Sequence, residues 1–149
     1  MQELELTAVA ERLKKELGDN VIVEDEISLV IAADRLSDLS IFLHDDLDLN
    51  LDYLSSVTAV DYKTHFEIVY HLVSLTKEHR LVFKVRVDDH ENPSLPTVIN
   101  VWRGADLQER EIFDLFGINF DGHPNMKRLF LWEGFPGHPM RKDWVSRDA

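Results

Sequence analysis

Two runs of strict alternation constrain this chain more than any other feature. Phe66, Ile68, Tyr70 and Leu72 alternate with Glu67, Val69, His71 and Val73; Leu81, Phe83, Val85 and Val87 alternate with Val82, Lys84, Arg86 and Asp88. A period of two sends successive side chains to opposite faces of a sheet. The apolar sets predict one fully covered face. The mixed sets predict a face left partly open, and so helices on one side only. Residues 56–61 read as a further strand, ahead of a turn at Tyr62-Lys63-Thr64.

Helical and β signals surround this sheet. Thr7 is placed to cap a helix whose apolar residues Val9, Leu13 and Leu17 fall four apart, ending at Gly18-Asp19. Residues 21–23 and 27–32 predict a hairpin around Glu24-Asp25-Glu26. Asp34 stands at an N-cap position ahead of Leu36, Leu39, Phe42 and Leu43. The Asp/Leu alternation over 45–54 is compatible with a helix end or a loop. The expected fold class is α+β: a two-layer domain over 1–116, with a mixed β-sheet covered by helices on one face. Residues 117–149 are expected to form an extended C-terminal arm.

Composition narrows the function. The 149 residues suit one domain, and 44% hydrophobic content supplies its core. The net charge of −12 argues against nucleic-acid binding, which needs a basic face. With no cysteine, the chain offers no thiolate for an iron–sulfur cluster, a zinc site or a covalent intermediate. No apolar run approaches the roughly 18 residues of a membrane span, and the start Met1-Gln-Glu-Leu-Glu is acidic where a signal peptide is basic. Contact with a membrane is therefore expected only through partners. The negative charge is concentrated in residues 1–102, whereas 103–149 are nearly neutral and hold five of the six glycines and five of the eight phenylalanines.

Within that last third, Asp106 and Glu109 have capping-box spacing for a helix 106–116 that stops at Gly117. Arg110 and Asp114 are i,i+4 neighbours able to pair. Glu109, Glu111, Asp114, His123, His138 and Asp143 have the chemistry of a carboxylate–imidazole metal site. Their spacing opposes it: Glu109 and Glu111 lie about 200° apart around a helix, and no Glu-x-x-His or His-x-x-x-His pair occurs. His44, His65, His71, His79 and His90 also lack ligand spacing. A stand-alone metalloenzyme is thus the remote alternative. Residues 117–149 are too turn-rich to form a core of their own, yet extended they reach roughly 100 Å. Their Trp132, Trp144, Phe120, Phe130, Phe135, Arg128 and Arg141 are interface residue types. Docking on a partner is expected ahead of fold-back on the sheet.

The string Ala105-Asp-Leu-Gln-Glu-Arg-Glu-Ile-Phe-Asp-Leu-Phe-Gly-Ile-Asn-Phe-Asp-Gly-His-Pro124, continued by Lys127-Arg128-Leu129 and Gly137-His-Pro-Met-Arg-Lys-Asp143, resembles the signature of the C-subunit of respiratory complex I (NADH:quinone oxidoreductase). This is the 30-kDa subunit family. Upstream, Ala59-Val-Asp61 and Phe66–Ser74 keep the same order, so the resemblance spans essentially the whole chain. Leu107 stands for a usual Trp and Met140 for a usual Leu.

The resemblance implies a non-catalytic, cofactor-free subunit at the cytoplasmic face of the membrane. It would dock on the large quinone-site subunit (the D-subunit) beside iron–sulfur subunits. Other members of the complex would hold the NADH, FMN, iron–sulfur and quinone sites of electron transfer coupled to ion translocation. Glu109, Arg110, Glu111, Asp114, Gly117, His123, Pro124, Arg128, Gly137, His138, Pro139, Arg141, Lys142 and Asp143 match the signature and are expected to serve architecture and docking. The Arg110–Asp114 pair and the Gly-His-Pro turns are expected to fix the path of the arm. The same module occurs in membrane-bound [NiFe] hydrogenases and ferredoxin-driven complexes, which remain the alternative.

Overall fold

The computed structural model describes residues 1–19, 21–23 and 28–146. In chain order these form β1 (Gln2–Glu3), α1 (Leu6–Leu17), β2 (Val21–Val23), β3 (Leu29–Ala32), a 3-10 turn (Ala33–Arg35), α2 (Leu36–Asp45), β4 (Tyr53–Asp61), β5 (Phe66–Ser74), β6 (His79–Val87), β7 (Ser94–Pro96), α3 (Ala105–Phe116) and β8 (Asn119–Asp121). The main sheet runs β2-β3-β6-β5-β4, with β1 also on β6. Strands β1 and β3 lie parallel to β6, and the remaining pairs are antiparallel, so the sheet is mixed.

The alternation seen in the sequence sets its inner face. Register places Ile68, Tyr70 and Leu72 opposite Val85, Phe83 and Leu81, while Leu29 and Ile31 face Phe83 and Val85 across the parallel pair. All eight are essentially inaccessible to solvent. Tyr70 stacks on Phe83 with ring centroids 4.7 Å apart. Helix α1 adds Leu6, Val9, Ala10 and Leu13 to this core, α2 adds Leu36, Leu39 and Leu43, and α3 adds Ala105 and Ile112. On the opposite face Val69, Val73, Val82 and Lys84 stay only half-buried, as expected with helices on one side.

The helix starts differ from their sequence signals. Helix α1 begins one residue before Thr7, after Glu5, with no side-chain cap. Asp34 falls inside the 3-10 turn, and α2 follows Arg35, also uncapped by a side chain. Packing of Leu6 and Leu36 into the core sets both starts, overriding the local capping preference. The expected hairpin exists as the antiparallel β2–β3 pair, while its turn at Glu24-Asp25-Glu26 lies outside the described residues. In the 45–54 segment the helix stops at Asp45. The Asp46 carboxylate then accepts the N–H groups of Asp48 and Leu49, and Leu49 and Leu51 turn into the core.

Beyond Gly117, β8 pairs in parallel with β7, and Ile118 and Phe120 are buried. These residues therefore belong to the packed domain, although glycine and proline content groups them with the arm.

Candidate functional site

Helix α3 carries two fully buried carboxylates, Glu109 and Asp114. Glu109 shares the inward side with Ala105 and Ile112. Its carboxylate accepts the Thr97 hydroxyl and, at 3.0 Å, the Val98 N–H. The expected capping box is therefore absent: Glu109 points to the 97–98 loop, the residue before the helix is Gly104, and Asp106 lies beside His123, with Oδ1 and Nε2 3.0 Å apart. Burial pushes the Glu109 carboxyl up to about 7; the two hydrogen bonds oppose the rise without cancelling it.

Asp114 has the opposite electrostatics. Its Oδ2 accepts the backbone N–H groups of Leu129, Phe130 and Leu131 at 3.2, 2.7 and 3.0 Å, and Oδ1 accepts Arg128 Nη1 at 3.0 Å. Burial alone would raise this carboxyl, but these donors outweigh it and hold the group below the usual range. Arg128 continues outward, donating to the Phe135 and Gly137 carbonyls at 3.0 and 2.9 Å. Arg110 does not pair with Asp114, as i,i+4 spacing suggested. It donates instead to the carbonyls of Lys127 and Arg128. Both residues of the expected pair grip the arm, separately, because it offers backbone carbonyls to Arg110 and three N–H groups and a guanidinium to the buried Asp114.

The C-terminal end of α3 is capped by the same arm. The last four carbonyls of a helix lack intrahelical partners. Here Phe113 O accepts the Gly117 N–H, Asp114 O accepts Arg128 Nη1 and His138 Nδ1, Leu115 O accepts the Met140 N–H, and Phe116 O accepts Arg141 Nη1. Two guanidinium groups thus stand at the negative end of the helix dipole. Gly117 adopts a left-handed conformation (φ 75°, ψ 20°), and a Cβ there would come 2.7 Å from the His138 ring. Gly117→Ala is expected to cost about 1–2 kcal/mol from the backbone alone, plus the displacement of His138. Urea unfolding would measure this, together with a shift of the His138 ring resonances.

A second anchor joins the arm to the sheet. Asp61, buried at the end of β4, accepts His90 Nε2–H at 2.8 Å and the N–H groups of Lys63 and Lys142 at 2.7 and 2.8 Å. Burial would raise its carboxyl, yet the Lys142 N–H, His90 and the Lys63 N–H together hold it low. Arg141 lies over the Phe66 ring and donates to both oxygens of Asp143. Thr97, Asp61 and His90 are the contributors that sequence reasoning missed. Asp61 read as the last residue of a strand and His90 as one more histidine without ligand spacing, because their partners lie far along the chain.

The arm is therefore laid along the domain by its backbone and arginines, while several of its apolar side chains face outward. Phe130 and Trp132 are each 65% exposed, Met140 56% and Val145 78%. Trp132, Phe135 and Trp144 form one cluster, with centroid separations of 5.7 and 6.2 Å. Asp114, Gly117, Arg128, Gly137, His138 and Arg141 meet around the end of α3. Glu111, Pro124 and Lys142 are exposed, Lys142 joining only through its N–H, and Pro139 packs half-buried in the His138 turn. Among the described residues, no three His, Asp or Glu side chains converge as a metal site.

Residues 29–149 match the profile of the respiratory-chain NADH dehydrogenase 30-kDa subunit family. The NADH-quinone oxidoreductase C-subunit of Roseiflexus sp. (strain RS-1) is 42% identical over 147 residues, covering 94% of this chain and 84% of that protein. Its counterpart in Caulobacter vibrioides is 43% identical over 122 residues, 80% of this chain and 61% of its own length. Among solved structures, a chain of the membrane-bound sulfane sulfur reductase, an archaeal respiratory membrane complex, superposes with a TM-score of 0.75 at 26% identity. That match covers 96% of this chain and 86% of its counterpart. The chain belongs to the respiratory-chain NADH dehydrogenase 30-kDa subunit family, the family of the NADH-quinone oxidoreductase C-subunit.

Proposed function

We propose that this chain is a cofactor-free architectural subunit of NADH:quinone oxidoreductase, docked on the large quinone-site subunit at the cytoplasmic face of the membrane. Electron transfer from NADH to quinone, and the coupled ion translocation, would run through FMN, iron–sulfur and quinone sites on neighbouring subunits. The observation carrying this reading is the outward strip of Phe130, Trp132, Met140 and Val145 on an arm whose backbone is pinned at both anchors. An apolar strip on a pre-ordered backbone loses little conformational entropy on binding, which suits a permanent interface. No helix among the described residues is long and apolar enough to cross a membrane, so attachment through partners accords with it.

The test is co-expression with the neighbouring large subunit. Trp132→Ala and Phe130→Ala remove exposed side chains, so the fold should stay intact. Each is expected to weaken the complex by about 2 kcal/mol or more, roughly thirtyfold in affinity. Unchanged affinity in the double variant would sink the docking role. A second reading, a related membrane complex fed by another electron donor, is favoured by the likeness to the sulfane sulfur reductase chain. NADH oxidation by the purified complex separates the two.

A further inference from the structure

His90 sits where three distant segments meet, and its surroundings define its tautomer. Its ring lies flat on Phe66 at the start of β5, centroids 4.4 Å apart and 3° from parallel. Nε2 is 2.8 Å from Asp61 Oδ1, while Nδ1 is 3.0 Å from Arg141 Nη2, which also donates to His90 O at 2.7 Å. Arg141 Nη2 has two hydrogens for three acceptors, His90 O, Asp143 Oδ2 and Nδ1, so Nδ1 shares a hydrogen and accepts it through its lone pair. An ionised Asp61 has no hydrogen to give, so its contact requires the hydrogen on Nε2. The docked arm therefore holds a neutral His90 protonated on Nε2.

The charged groups facing this ring are Asp61 from β4 and Arg141 and Asp143 from the arm. Lys142 contributes only its backbone N–H, to Asp61 Oδ2. Asp143 Oδ2 lies 3.8 Å from His90 Nδ1 and already accepts Arg141.

We propose that His90 is a proton-operated switch for the arm turn at 141–143, in which a proton from solvent on Nδ1 ends the Arg141–Nδ1 hydrogen bond and re-partners Nδ1–H with Asp143. A protonated Nδ1 cannot accept, so the guanidinium must give way. The ring is pinned by Asp61 and Phe66, so the turn moves rather than the imidazole. Trp144 moves with it: its backbone N–H bonds to Arg141 O, its indole N–H bonds to Pro136 O at 2.9 Å, and its ring stacks on Phe135. Proton uptake at His90 thus repositions the aromatic cluster beside the exposed strip. Only this last link to docking rests on the function proposed above.

The experiment is an NMR titration of the full chain with 15N-labelled histidine, from about pH 8 to 5, the range in which imidazoles change charge. At the alkaline end, long-range 1H–15N spectra should show the Nε2–H tautomer. On acidification, the backbone amides of Lys142 and Trp144 and the Trp144 indole N–H should shift with the midpoint of the His90 ring. His90→Gln keeps a donor for Asp61 and an acceptor for Arg141, and should abolish that shift. An Nδ1–H tautomer at the alkaline end, a ring titration that leaves those resonances still, or a shift that persists in His90→Gln would each overturn the switch. Because the chain is measured alone, failure of large-subunit docking leaves this result intact, and the reverse holds as well.

Discussion

Asp114→Ala is expected to detach the arm and to destabilise the domain by about 3–5 kcal/mol, the usual consequence of removing one member of a buried, hydrogen-bonded ion pair. The alanine would leave the N–H groups of Leu129, Phe130 and Leu131 and one face of Arg128 without an acceptor. Arg128 also carries the Phe135 and Gly137 carbonyls, so its release would free the path as far as the Trp144 cluster. Thermal unfolding should show a midpoint lowered by roughly 10 °C or more, and limited proteolysis should cut within 127–137. Asp114→Asn, which keeps one acceptor oxygen without the charge, should fall between. A variant as stable and as protease-resistant as the wild type would mean that the arm is held elsewhere.

The second large effect is a dependence on pH set at Glu109. Its folded value of about 7 lies above the ordinary 4.5, so the folded state binds more protons than the unfolded one between those values. The stability due to this group is fully present below about pH 4.5 and is lost as pH rises through 7. Between pH 5 and 8 the loss should amount to about 2–3 kcal/mol. Glu109→Gln, neutral throughout, should remove that slope and equal or exceed the wild type at pH 8. Asp114 and Asp61 act in the opposite direction, since their lowered values make stability fall as pH drops below the carboxylate range. Parallel pH–stability curves for wild type and Glu109→Gln in urea would show that Glu109 is ionised in the fold at neutral pH.

The sheet was legible because its signal is local. Alternation over 66–73 and 81–88 assigned every inward residue, and register could not reverse without burying Lys84 and Arg86. The family resemblance was equally legible, because its signature segments all fall within residues 105–143. Capping was not: Thr7, Asp34 and Asp106 have the residue types of caps, but none makes the cap hydrogen bond. Composition separated the arm from the domain and made docking and fold-back competing outcomes. In the structure the backbone and arginines fold back, while Phe130 and Trp132 face out. A chain cut after Phe116 would also remove Ile118 and Phe120 from the core, so exposed point substitutions are the cleaner probe of docking.

Sequence by itself determined which sheet face is buried, where α3 stops and which family the chain belongs to, since each depends on neighbours within a few residues. Tertiary structure alone decided the roles of two acids five positions apart on one helix. Glu109 is buried with only two donors and its carboxyl is pushed up to about 7, whereas Asp114 meets three amides and a guanidinium and is held below the usual range. It also decided the path of the arm, fixed by contacts such as Asp61 with Lys142, 81 residues apart. No periodicity or local propensity encodes such a pairing: the donors that set a buried carboxylate's charge come from whichever segment the fold brings against it.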